Sequence, residues 1–92
     1  VRLGNDEFIK LAKEQIVNYF NGRADATDKS GHITPDDIFV VWYCKALQNH
    51  KALLSTTVPD GMYYEITFNG DKAEMYLDAY KKWENKCIKV GD

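Results

Sequence analysis

The run Ile38-Phe39-Val40-Val41-Trp42-Tyr43-Cys44 constrains the fold more than any other part of the chain. It is an unbroken string of apolar and aromatic residues, mostly β-branched or aromatic, and reads as a strand near the middle of a sheet. A strand sends successive side chains to opposite faces. Half of this string therefore points away from the core unless both faces of the sheet are covered.

The 92 residues leave room for one domain, 1–92, around one core. An apolar fraction of 45% with 13% aromatics argues for a folded globule. The net charge of −2 lacks the basic excess usual in nucleic-acid binders. Cys44 and Cys87 have no partner at CxxC or zinc spacing, so they read as reduced, buried thiols, with a disulfide across the fold as the alternative. No signal peptide is visible, and no apolar run approaches the roughly 18 residues of a membrane span. These features place the expected protein in a reducing cytoplasm, without a cofactor.

Asn5 is the expected cap of a first helix, with Asp6 and Glu7 in its acidic first turn. Phe8, Leu11, Ala12, Ile16, Tyr19 and Phe20 follow helical spacing, and Asn21-Gly22 is the expected stop. Thr34-Pro35-Asp36-Asp37 has the chemistry of a helix start and predicts one short turn leading into a strand over 38–47. Gln48-Asn49-His50-Lys51 is read as a turn and 52–58 as a second strand. After Pro59-Asp60-Gly61, a third strand over 62–68 places Met62, Tyr64, Ile66 and Phe68 on one face.

Asn69-Gly70 ordinarily signals a hairpin. A two-residue turn there would set Glu65 opposite Glu74, an unfavourable pair. The segment also fits a helix. Asp71 caps it, Ala73, Tyr76, Leu77, Tyr80, Trp83 and Cys87 share a face, Asp78 pairs with Lys82, and Gly91 ends it. The expected fold is α+β: helix, three-stranded antiparallel sheet, helix (α-β-β-β-α), with both helices on one face.

With one face open, Lys45 favours solvent and fixes the phase of the first strand. Phe39, Val41, Tyr43 and Lys45 then point outward with Tyr63, as a partner-binding patch. Ile38, Val40, Trp42, Cys44 and Ala46 point inward. The bland alternative is that the 23–37 loop or the C-terminal segment covers the patch.

Three other chemistries are poorly served by the sequence. Residues 26–37 resemble part of a calcium-binding EF-hand loop, with Asp28, Ser30, Gly31, Ile33 and Asp37 at matching positions. Ala26 occupies the first ligand position, and Asp37 is shorter than the usual terminal Glu, so no metal site is expected. Catalysis lacks a motif: His32 and His50 fall in predicted turns, and no Ser or Cys has a nucleophile context. The order helix, three strands, helix is that of double-stranded RNA-binding domains, for which Lys45, Lys51 and Lys72 are the candidate phosphate contacts. Asp71 beside Lys72 weakens that chemistry.

Residue strings through the second half carry a resemblance. They include Val40-Val41-Trp42, Cys44-Lys45, Leu47-Gln48-Asn49, Lys51-Ala52-Leu53, Leu54-Ser55-Thr56, Asp60-Gly61-Met62-Tyr63-Tyr64-Glu65, Asn69-Gly70-Asp71-Lys72 and Tyr76-Leu77-Asp78-Ala79-Tyr80-Lys81-Lys82. From Asp37 to Ile88 the chain resembles a family of small uncharacterised proteins from phages and prophages of Gram-positive bacteria. The resemblance implies a cytoplasmic protein of an infected or lysogenic cell and supplies no activity. The expected role is a non-enzymatic interaction module that binds a host or phage protein, or a second copy of itself.

Overall fold

The computed structural model describes residues 2–23 and 31–91. Helix α1 runs Asn5–Arg23. A 3-10 turn at Pro35–Asp37 delivers the chain into strand β1, Ile38–Ala46. Strands β2 (Asn49–Thr56), β3 (Met62–Asn69) and β4 (Glu74–Lys81) follow. All neighbours are antiparallel, and the spatial order β1-β2-β3-β4 is the chain order.

Helix α1 begins one residue earlier in its capping than Asn5 suggested. The Gly4 carbonyl accepts the Phe8 N–H at 2.9 Å, and Glu7 reaches back to the Gly4 N–H at 3.1 Å. The Glu7 carboxylate thus satisfies an amide that the helix leaves unpaired. Phe8, Ala12 and Ile16, four residues apart, form one stripe and are fully buried. They pack on Ile38, Ala52, Leu54, Tyr64, Ile66 and Phe68, with Ile33 closing one end. Burying side chains such as Phe8 and Ile16 contributes about 1.5–3 kcal/mol each. Asn21 does not stop the helix. Its side chain accepts the Ile33 N–H at 2.9 Å and donates to the Ile33 carbonyl at 3.0 Å, tying the returning chain to α1.

The fold is a four-stranded antiparallel sheet with one helix, which corrects the expected three strands and two helices. The segment expected as the second helix is β4 followed by residues 82–91, which form neither helix nor strand. Its sequence fits both periods: Met75, Leu77 and Ala79 alternate with Tyr76, Asp78 and Tyr80 as well as any helical face does. The hairpin loop decides it. Asn69 Oδ1 accepts the N–H groups of Asp71 and Lys72, at 3.0 and 3.2 Å, and so folds the loop locally. Ala73 takes a left-handed conformation, φ 53°, and Asn69 pairs with Glu74. This longer loop moves the register so that Glu65 faces Asp78. The Glu65–Glu74 pair that argued against a hairpin does not form, and Lys51, 3.4 Å from Glu65, offsets the repulsion between Glu65 and Asp78.

The first hairpin turns at Leu47-Gln48, earlier than the expected 48–51, so His50 lies inside β2. The β3 alternation holds, with Tyr64, Ile66 and Phe68 buried under the helix. In β1 it breaks. Val40 pairs with Leu54 and Trp42 with Leu53, leaving Val41 as an extra residue in a bulge. One extra residue inverts the faces of everything after it. Tyr43 and Lys45, expected outside, share the helix side with Ala52 and His50, while Trp42 and Cys44 share the open side with Leu53 and Lys51. Cys44 and Cys87 are free but exposed, correcting their expected burial. No helix among the described residues is long and apolar enough to cross a membrane.

Candidate functional site

The face of the sheet opposite α1 is the candidate site. Its first row follows from the register: Phe39 beside Ser55, then Tyr63, then Tyr80. The next row is Trp42, Leu53, Glu65 and Asp78, and the third is Cys44, Lys51, Thr67 and Tyr76. Side chains directly paired across an antiparallel ladder stand on the same face. Three aromatics therefore stand in the first row, with Trp42 in the second and Tyr76 in the third, while the ionised Glu65, Asp78 and Lys51 occupy the second and third rows.

The exposure is large for apolar groups. Phe39 is 48% exposed, Trp42 41% and Tyr80 52%. Val41, in the bulge beside them, is also exposed. Ser55 is buried and donates to the Met62 carbonyl at 2.8 Å, so the polar member of the first row is already satisfied. A groove of about 510 Å³ runs along the aromatic end, lined by Leu53, Tyr63, Tyr80, Lys81, Lys82 and Asn85. The last two belong to the C-terminal segment, which leaves β4 with the Lys82 N–H bonded to the Gly61 carbonyl at 2.8 Å. Desolvation raises the Tyr76 phenol above its ordinary value, and the neighbouring Glu74 carboxylate adds to the effect.

Of the residues expected in the patch, Phe39 and Tyr63 stand in the first row and Val41 is exposed in the bulge. Tyr43 is held on the helix side. Its ring lies 5.7 Å from that of Phe8, and its hydroxyl reaches Asn5 Oδ1 at 2.9 Å. Burial raises its phenol above the ordinary value. Lys45 points to the same side, paired with His50. Trp42, Leu53, Tyr76 and Tyr80 were missed. The Tyr76, Asp78, Tyr80 alternation was a readable signal for two of them; the bulge that turns Trp42 outward left none.

The lysines considered for phosphate do not converge. Lys51 lies on the open face beside Glu65, Lys45 is on the helix side, and Lys72 is in the β3–β4 loop. With β4 where the second helix was expected, the double-stranded RNA-binding topology is overturned. Of the EF-hand-like loop, Asp28 and Ser30 lie outside the described residues. Ile33 is core, and the Asp37 carboxylate accepts the Thr34 N–H at 2.8 Å as a cap to the 3-10 turn. Among the described residues no group of three or more His, Cys, Asp or Glu side chains converges. His50, expected to be solvated, is 1% exposed; its Nε2 donates to the Leu3 carbonyl at 3.0 Å, and Nδ1 is hydrogen-bonded to the Tyr43 hydroxyl.

A family of unknown function (DUF6275) matches residues 9–90. The chain belongs to the DUF6275 family. No curated protein and no solved structure matches it. In this DUF6275 member the matched span takes in the greater part of α1, all four strands and most of the C-terminal segment.

Proposed function

We propose that this DUF6275 protein is a non-enzymatic interaction module that binds another protein through the open sheet face. Its contact residues are Phe39, Val41, Trp42, Leu53, Tyr63 and Tyr80. The observation that carries this reading is the cross-strand row Phe39, Ser55, Tyr63, Tyr80, with Trp42 and Leu53 behind it. Exposed Phe39, Trp42 and Tyr80 around the half-buried Tyr63 and Leu53 form an apolar surface of the kind that marks association, and aromatic side chains anchor protein interfaces. The acidic Glu65 and Asp78 at the centre of the face repel a phosphate backbone, which favours protein over nucleic acid.

The resemblance to phage and prophage proteins extends the reading: the module acts in the cytoplasm of a bacterial host, on a host or phage protein. A photo-crosslinking amino acid at Tyr63, compared with one at Gln15 on the outside of α1, tests the face. Protein adducts from position 63 and none from 15 are expected. Adducts equal at both sites, or nucleic-acid adducts alone, would sink the reading.

A further inference from the structure

We infer that the occupant of the open face is a second copy of the same chain, packed sheet to sheet about a two-fold axis, with each C-terminal segment 82–91 laid against the other protomer. This rests on the interaction-face reading and names its partner. Three observations support it, the first two sharing the exposed segment 82–91.

The first is area. The chain exposes 6745 Å², where a compact monomer of 10.6 kDa exposes roughly 5,500 Å². The excess is on the order of 1,200 Å², larger than the about 800 Å² that each partner contributes to a standard interface. The Cα radius of gyration is 15.2 Å, against about 12 Å for a compact chain of this length. A self-complementary contact has the right size to absorb the surplus.

The second is the C-terminal segment. Every described residue from Lys82 to Gly91 is exposed, including Trp83 at 96%, Cys87, Ile88 and Val90. These apolar groups follow directly from β4 and adjoin the aromatic end of the face through Lys82 and Asn85. Their exposure on a chain that also leaves Phe39 and Trp42 exposed means two apolar surfaces lack cover at once. Exchange between two copies buries both.

The third is charge. The segment carries Lys82, Lys86 and Lys89 against one acid, Glu84. The face carries Glu65, Asp78 and, in its last row, Glu74 against one base, Lys51. Within one copy, Lys51 already takes Glu65, and Asp78 remains exposed. Across a two-fold axis the basic segment of one copy meets the acidic row of the other, twice. Two such sheets packed about 10 Å apart make a sandwich with α1 on each outer side.

Sedimentation of the full chain across a concentration series tests the proposal. The molar mass should rise with concentration from 10.6 kDa to twice that value. Trp42→Glu and, separately, Trp83→Glu should abolish the doubling while far-UV circular dichroism stays unchanged; Trp83 is too exposed for its loss to unfold the chain. In a Cys87→Ser background, the Cys44 thiol should react with a disulfide reagent in dilute protein and lose that reactivity in concentrated protein. A mass of one chain at every concentration overturns the proposal, as does a dimer that survives both substitutions with Cys44 still reactive. If the chain stays monomeric while the Tyr63 crosslinker captures a different protein, the second copy is excluded and the interaction face stands. If neither a dimer nor an adduct forms, both fail.

Discussion

Tyr43 and His50 meet across the first hairpin, with the phenol hydroxyl hydrogen-bonded to the imidazole Nδ1 beneath the start of α1. The same hydroxyl reaches Asn5, and the other side of the imidazole holds Leu3. Four chain segments are joined by this cluster: the N-terminal lead, the first turn of α1, β1 and β2. Phe8 stacks on His50 at a ring-centroid distance of 4.8 Å.

Tyr43→Phe keeps the ring and removes the hydroxyl, leaving a nitrogen of His50 unpaired in the core. The expected cost is about 1–3 kcal/mol, read as a lower urea midpoint at unchanged slope. Tyr43→Glu should cost more, because it drives a charge under the helix. Trp42→Glu, one residue away on the open side, should cost less than Tyr43→Glu. The reverse order would show that the bulge at Val41 does not set the faces of β1.

Alkaline stability reports on the same side of the sheet. Desolvation raises the Tyr43 phenol above its ordinary value of 10.0, with the Cys44 charge adding to it. Tyr64 is raised by desolvation and by Asp60 and Tyr19, against an opposing pull from Arg23. A raised folded-state value means the native state holds its proton longer than the unfolded chain. Stability from both groups is therefore complete below pH 10 and falls as pH rises through the raised values. Denaturation followed against pH should show that decline, and a Tyr43→Phe, Tyr64→Phe double variant should flatten it. A wild-type curve that stays level well above pH 10 counts against the buried placement of both rings.

The sequence carried α1 and β3 in full view, because Phe8, Ala12 and Ile16 repeat at helical spacing and Tyr64, Ile66 and Phe68 alternate. Strand β4 was legible only as an ambiguity. Tyr76, Leu77 and Tyr80 satisfy a helix, and the deciding contacts come from Asn69 within its own loop. Phe39 and Tyr63 of the candidate site could be read from alternation alone. Trp42 could not, since a bulge is a choice about register between β1 and β2 and leaves no mark on either strand by itself. His50 was lost for a related reason: moving the turn to Leu47-Gln48 converts a supposed loop histidine into a core one.

Glu65 and Asp78 face each other between β3 and β4, with Lys51 at hand for Glu65. Like charges directly opposed cost a few tenths of a kcal/mol, and an exposed ion pair returns a similar amount. Asp78→Asn should raise stability by about 0.5 kcal/mol at low ionic strength, and the gain should shrink as salt screens the pair. Lys51→Met should lower stability in the wild type by more than it does in the Asp78→Asn background. Additive effects in this cycle would mean the three side chains do not interact.

Gly70 sits where two loops touch. Its N–H donates to Asn49 Oδ1 at 2.9 Å, and a Cβ built there would lie 2.4 Å from the Gln48 carbonyl oxygen. Backbone on one side cannot yield as a flexible side chain does. Gly70→Ala should cost about 1–3 kcal/mol, measured by chemical denaturation, because the β3–β4 loop must move off the β1–β2 turn. The same substitution at Gly22, where no atom lies within 4 Å of the built Cβ, should be neutral or stabilising. Equal effects at the two glycines would contradict the loop contact.

Leu47 occupies the first position of the β1–β2 turn with φ 55° and is almost wholly exposed. A left-handed backbone costs an ordinary L residue about 1–2 kcal/mol, and an exposed leucine recovers little of that by burial. Glycine has no such penalty, though it gives up some entropy to the unfolded chain. Leu47→Gly should therefore raise the unfolding free energy by about 0.5–1 kcal/mol, while Leu47→Val, with a second branch at Cβ, should lower it. Both changes leave the core and the open face untouched, so thermal or urea midpoints read the turn alone. If Leu47→Gly weakens the protein instead, the hairpin does not turn at 47–48, and the pairing of His50 with Lys45 that follows from it is wrong.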